Sequence, residues 1–317
     1  MDPVTNELLA FSYQARGDAT RDIAFYVFGP DRKRINEVWF EMPYAACVHD
    51  FAITDEWAVF PFFPLITDLD VVKAGGPYYQ WHPDQQVHIA LVPRYGTAEG
   101  IRWFKGPAAS AGHMMNAFRE GSKVHLDVCL YEGNCFPFFP TPQGEVTAPV
   151  PPFLTRLTVD TQDPQAGIGK RRLFPIPCEM PRTDDRYQGH AYRNGFVISG
   201  RAPDGSSGIT RIDVTTGVSD AWMPGPGDSV QEAQFVPRNI DSPEGDGWIV
   251  LLVCRVSRMR SDLVVLDATQ LAAGPVATFR IPVRVRATFH GMWVSQATLD
   301  SGLFEARRLD SLQRTGR

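Results

Sequence analysis

The chain predicts an all-β fold of small antiparallel sheets arranged like propeller blades, and three observations carry that prediction. Its 26 prolines and 27 glycines are spread over all 317 residues, and they interrupt short β-branched and aromatic runs every ~8–12 positions, the spacing of strands joined by turns. Helical periodicity is scarce, with residues 267–273 the best candidate for a turn or two of helix. No compositional shift marks a linker, so residues 1–317 read as one domain, although no blade repeat is visible in the letters.

Individual elements follow from period and punctuation. Residues 47–54, Cys-Val-His-Asp-Phe-Ala-Ile-Thr, read as a strand in which His49 shares parity with Phe51 and Ile53 and so points with the apolar side chains. Residues 123–130 alternate apolar with mostly polar side chains, the period of a half-buried strand. Residues 247–253 and 261–267 are more continuously apolar, as expected of inner strands covered on both faces. The proline-rich stretches 136–152 and 175–181 read as long loops crossing one face, and loops of such length are often functional.

Composition excludes several function classes. Hydrophobic residues make up 44% of the chain, but the longest apolar runs, 248–253 and 263–266, are far too short to span a bilayer, so no transmembrane helix is implied. The opening Met1-Asp2-Pro3-Val4-Thr5-Asn6-Glu7 lacks the basic start and apolar stretch of a secretory signal, which makes the cytoplasm the expected compartment. Cys47, Cys129, Cys135, Cys178 and Cys254 are odd in number and widely spaced, with no CxxC pair. That argues against a disulfide framework or a thiolate zinc site and for reduced thiols in the core. A net charge of −5 without a basic cluster argues against nucleic acid as a partner. Small-molecule chemistry remains.

Of seven histidines, three stand in apolar or glycine-flanked settings. They are His49, His113 (between Gly112 and Met114-Met115-Asn116) and His290 (between Phe289 and Gly291). Each alone reads first as a core histidine bonded to a carbonyl, since imidazole is only an intermediate burier, and singly none points to a metal. His82 lies in a turn-like Trp-His-Pro-Asp, His88 and His125 in strands beside solvent-type neighbours, and His190 in a polar loop; these four read as structural or solvated.

The segments around the three resemble the carotenoid cleavage oxygenase family over nearly the whole chain. His49-Asp50-Phe51-Ala52-Ile53-Thr54 resembles its HDFAIT signature, residues 113–121 its HxxNAxxEG segment, and residues 289–294 its closing FHGxWV. The resemblance implies a seven-bladed β-propeller with one Fe(II) per chain on its axis, held by His49, His113, His290 and a fourth, N-terminal histidine. Glu179, in Cys178-Glu179-Met180-Pro181-Arg182, and Glu232, in Glu232-Ala233-Gln234-Phe235-Val236-Pro237-Arg238, resemble the family's outer carboxylates. They are expected to receive the far ring N–H of His113 and of His290, fixing the tautomer and raising ligand basicity.

Ile101-Arg102-Trp103-Phe104-Lys105, Cys135-Phe136-Pro137-Phe138-Phe139-Pro140 and Arg284-Val285-Arg286 are similar to segments of the bacterial lignostilbene-cleaving branch. That branch implies O2-dependent cleavage of the interphenyl alkene of hydroxystilbenes to two aromatic aldehydes, without NAD(P)H, flavin or 2-oxoglutarate. Phe136, Phe138 and Phe139 either line an apolar tunnel for a flat aromatic substrate or pack a long loop. The alternatives are a carotenoid or apocarotenoid cleaver and a non-catalytic propeller. Catalysis is expected to need no side chains beyond the metal ligands. Residues 1–8 resemble the family's DPxTGEL segment, so the chain reads as the C-terminal two-thirds of the family's domain, a propeller lacking its N-terminal blades. The fourth histidine, the glutamate partner of His49, and a tyrosine and lysine that contact substrate would then lie upstream. On that reading the chain starting at Met1 is a weak enzyme or none. The sequence does not give the oligomeric state.

Overall fold

The computed structural model describes residues 1–200, 202–286 and 289–300; the remainder of the expected 1–317 domain lies outside the described residues. Strands β1 (Leu8–Tyr13), β2 (Asp22–Phe28) and β3 (Arg34–Glu41) form an antiparallel meander. Next come β4 (Ala52–Ile53), β5 (Trp57–Phe62), β6 (Leu65–Ile66), helix α1 (Leu69–Lys73), β7 (Gln80–Trp81), β8 (Val87–Pro93) and β9 (Arg102–Gly106). Of these, β4-β5-β8-β9 make the second sheet and β6-β7 a small ribbon beside it. The third sheet is β10 (Ser110–Glu120), β11 (Lys123–Tyr131), β12 (Pro152–Asp160) and β13 (Gly169–Arg172). The fourth is β14 (Cys178–Thr183), β15 (Asn194–Ser199), β16 (Gly208–Asp213) and β17 (Ser219–Trp222). In the fifth, β18 (Ser229–Val230) and β19 (Gln234–Pro237) both pair with β20 (Gly247–Arg255), followed by β21 (Arg260–Asp267) and β22 (Pro275–Arg280). A short helix α2 (Gln296–Asp300) follows.

The sheets bury their faces against one another in chain order. Phe25 and Val38 of the first sheet pack with Phe60 and Ala90 of the second. Leu91 and Phe104 of the second meet Leu126 and Val128 of the third. Met115 and Cys129 of the third meet Val197 and Ile212 of the fourth, whose Phe196 and Ile209 meet Ile249 and Val264 of the fifth. Removing such side chains from water drives the assembly, at roughly 1.5–3 kcal/mol for each large apolar residue fully buried.

This stacking corrects several sequence expectations. Strand β11, read as half-buried, is covered on both faces from Val124 to Leu130, and its His125 and Asp127 are buried with partners. Asp127 receives Arg156 Nε and Nη2, each at 2.8 Å, and the Tyr192 hydroxyl at 2.6 Å. Strands β20 and β21, read as covered on both faces, alternate between buried and partly exposed side chains. Residues 175–181 end inside β14 rather than forming a loop throughout. Where a helical turn was expected at 267–273, β21 runs to Asp267 and a single 3-10 turn occupies Leu271–Ala273. Helix α1 was not expected; the Asp68 carboxylate caps it by accepting the amides of Asp70 and Val71. All five cysteines are free, with Cys129 and Cys178 buried and the other three partly so.

Candidate metal centre

Strands of successive sheets lie side by side: β4 next to β10, β10 next to β14, β14 next to β19. The chemistry-bearing residues come from these strands and their flanks. His113 is in β10 and Glu179 in β14, while Glu232 links β18 to β19. His49 precedes β4 and His290 follows β22, neither within a strand. The expected mid-strand position of His49 is therefore corrected. Val48, Ala52 and Ile53 are buried around it, whereas its own ring is exposed.

These residues, far apart in sequence, meet at one point. One ring nitrogen from each of His49, His113 and His290 lies within 4.8 Å of the others, and ring centroids are 5.1 to 5.6 Å apart. Nitrogens bonded to one ion at ~2.1 Å can be at most ~4.2 Å apart, so the observed bound leaves at most a small ring adjustment on binding. Among the described residues no fourth histidine joins the group.

Irregular backbone aims the side chains. Opposite β11, β10 carries register shifts between Ala111 and Met114 and between Met114 and Asn116. Opposite β15, β14 carries one between Glu179 and Arg182, with Met180 at φ 51°. In a regular strand, residues three apart face opposite ways; an inserted residue re-aims them, which is why bulges gather beside functional sites. Here the bulge lets Glu179 and Arg182 both face the cluster.

Carboxylates back two of the imidazoles. His113 Nδ1 is 2.8 Å from Glu179 Oε2, and His290 Nδ1 is 3.1 Å from Glu232 Oε1. Glu179 Oε2 also accepts the Met180 amide at 2.7 Å, and Glu232 Oε2 the Gly291 amide at 2.9 Å. Burial opposes protonation of His113, but the bond to Glu179 and its charge prevail, so the imidazole pKa is raised. The His49 imidazole, though exposed to the cleft, is pushed down first by the partial loss of water around it and then by the neighbouring His113. Sequence reasoning missed Asp50, whose Oδ2 accepts the Met114 amide at 2.9 Å and so ties the His49 segment to β10. It also missed Arg182, discussed below, although both lie inside the quoted motifs.

His49, Asp50, His113, Met114, Pro181, Arg182, Glu232 and His290 line a cleft of about 270 Å³. A second cavity of about 340 Å³ is lined by Tyr131, Cys135, Cys178 and Glu179 among others, and Glu179 ties it to His113 of the cleft. Phe136, Phe138 and Phe139 line neither. They pack on one another at 4.6 to 6.2 Å, and Phe139 abuts Tyr79 at 5.5 Å. Of the remaining histidines, His125 is buried against Phe118 and bonded to Thr158, whereas His82, His88 and His190 are partly exposed, all outside the cluster.

The donor set suits a divalent transition metal. With Nδ1 of His113 and His290 engaged by carboxylates, Nε2 is the nitrogen left to bind, the arrangement common to histidine metal sites. An all-β array of stacked sheets with three histidines gathered beside its strands matches the propeller fold and could bind a metal ion. Residues 1–295 match the family described as RPE65, retinal pigment epithelial membrane protein, and the chain belongs to this carotenoid cleavage oxygenase family. It is 39% identical over 307 residues to isoeugenol monooxygenase of Pseudomonas nitroreducens, covering 92% of this chain and 64% of that protein. It is 38% identical to lignostilbene-alpha,beta-dioxygenase isozyme III of Sphingomonas paucimobilis, covering 94% of this chain and 65% of that one. The crystal structure of Pseudomonas brassicacearum lignostilbene dioxygenase superposes with a TM-score of 0.89 at 42% identity, covering 92% of this chain and 64% of that chain. Cobalt-substituted Synechocystis ACO superposes at 0.77 with 25% identity, covering 91% and 60%. The chain thus spans less than two-thirds of the length of the relatives it matches. Among the described residues no helix is long and apolar enough to cross a membrane.

Proposed function

We propose that the chain carries the active centre of an Fe(II)-dependent dioxygenase that cleaves the interphenyl alkene of hydroxystilbenes with O2, giving two aromatic aldehydes. One observation carries this reading: two imidazoles backed by buried or half-buried carboxylates, His113–Glu179 and His290–Glu232, meet His49 at a cleft in a chain of this family. His49, His113 and His290 would hold the iron, and when bound it supplies the redox chemistry that activates O2. Neutral imidazoles suit the task because they leave the ion's charge unneutralised. Glu179 and Glu232 keep the Nδ1 protons in place, so each ring presents Nε2 and cannot rotate away. One alkene plus O2 becomes two carbonyls, so atoms and electrons balance without an external reductant. The five larger sheets are read as blades of a seven-bladed propeller, an assignment supported by their order and by the likeness to lignostilbene dioxygenase.

The same reading keeps Phe136, Phe138 and Phe139 as contacts for an aromatic substrate, supported by the exposed ring of Phe138. A second reading, oxidative cleavage of a propenyl phenol, is favoured by the identity to two Pseudomonas isoeugenol monooxygenases, 39% and 38%. Aldehyde release from 4-hydroxystilbene, isoeugenol and an apocarotenal, measured side by side with added Fe(II) under O2, tests the proposal. Release from the stilbene above both others is expected. Preference for isoeugenol would move the assignment to the second reading, and no bound iron with no product would end both.

A further inference from the structure

We propose that Arg182 is a positioning residue: it locks the His290-bearing segment onto the fourth sheet through Glu232 and the Gly291 carbonyl. This inference rests on the reading of the three histidines as a metal site.

The side chain emerges from β14 just past the bulge at Met180, on the same side as Glu179. Its Nη2 forms an ion pair with Glu232 Oε2 at 3.1 Å and donates to the Gly291 carbonyl at 3.0 Å. Glu232 is almost fully buried and has four partners on two oxygens: His290 Nδ1 on Oε1, and the Gly291 amide, the Gln234 side-chain amide at 3.4 Å and the Arg182 guanidinium on Oε2. His290 follows the last strand of its sheet and is itself about half exposed. Its placement therefore depends on what grips it, and the contacts at hand are Glu232 and Arg182. Contacts between inner segments run round the cluster. Asp50 takes the Met114 amide between the second and third sheets, Glu179 takes His113 between the third and fourth, and Arg182 takes Glu232 and Gly291 between the fourth and fifth. Among the described residues Arg182 is the single Lys or Arg of this belt on the cleft wall. A guanidinium nitrogen holds its two N–H groups in a rigid plane, so Nη2 alone meets a carboxylate and a carbonyl together, whereas a lysine ammonium is a flexible point charge.

The test is Fe(II) binding by the purified full chain under anaerobic conditions, followed by competition with a chromogenic chelator, which reads affinity and release rate without turnover. Arg182→Met is expected to weaken binding about tenfold, the low end for loss of an outer partner of a metal ligand. Arg182→Lys should fall between the two, since it restores a charge for Glu232 but not the rigid planar donor. Because Arg182 acts through Glu232, adding R182M to Glu232→Gln should cost little beyond E232Q alone. Circular dichroism checks folding, and if R182M does not fold, R182K and its pairing with E232Q carry the test. Wild-type affinity in a folded R182M or R182K, or losses that multiply in the double variant, would overturn the proposal. A wild-type chain that takes up no Fe(II) would instead overturn the metal-site reading, and the inference with it.

Discussion

His113 Nδ1 and Glu179 Oε2 stand 2.8 Å apart across the seam between the third and fourth sheets, so one hydrogen bond joins two sheets and orients one imidazole. Replacing Glu179 with Gln keeps the shape but removes the charge. Metal retention is expected to drop about 10–100-fold, with the fold intact. Equilibrium dialysis against Fe(II) or Co(II) measures it, and unchanged retention would show that the carboxylate does not serve the ring.

Met180 supplies the second prediction. Its φ of 51° lies in the left-handed region, which glycine tolerates and a β-branched residue resists. Met180→Val should lower stability by about 1–3 kcal/mol and loosen the metal as well, because straightening the bulge turns Glu179 or Arg182 away from the cleft. Met180→Gly should preserve binding. Urea unfolding with parallel metal analysis distinguishes these, and a Val variant that matches wild type in both would refute the role given to the bulge.

Away from the cluster, Arg94 is almost completely buried, with Nη1 2.5 Å from Asp2 and 3.0 Å from the Thr54 carbonyl, and Nη2 2.6 Å from Glu7. Truncating it to Met strands two buried carboxylates, and a loss of about 3–5 kcal/mol is expected. Burial pushes the Asp2 carboxyl up, but the Thr5 and Val4 amides and the Arg94 guanidinium push harder the other way, leaving its pKa lowered. A carboxylate depressed in the folded state contributes fully above its unfolded value of roughly 3.9, and that contribution is lost as pH falls through the folded value. Asp2→Asn should therefore be less stable at neutral pH and show a shallower acid loss below about pH 4. Parallel acid-unfolding slopes for the two chains would contradict this.

Phe138 tests the aromatic loop. If its exposed ring meets substrate, Phe138→Ala should raise KM for 4-hydroxystilbene several-fold and leave kcat and Tm nearly unchanged. An unchanged KM would leave the three phenylalanines as packing of the loop alone.

How far the letters reach is best seen at individual residues. Glu179 and Glu232 could be matched to His113 and His290 because short motifs carry both members of each pair. The faces of strands could not be read, since the polar alternation of β11 is the same whether His125 and Asp127 meet water or a neighbouring sheet. Only the fourth sheet, with Tyr192 poised over Asp127, settles it. Bulges were equally silent: the extra residue in β14 exists only relative to β15, and a period-two reading therefore misplaces Arg182. His49 was put in a strand because its neighbours are β-formers, but the ladder begins at Ala52.

The four hydrophobic clusters join each sheet only to the one before or after it in the chain. Packing of this kind couples each described sheet to its neighbours alone, so one sheet can loosen locally while those further along the chain stay folded. The cleft draws on four of the five sheets or their flanking segments, including the segment beyond β22, so it has no such reserve. Pulling or proteolytic nicking near His290 should erase the cleft while the earlier sheets keep their amide protons protected from exchange.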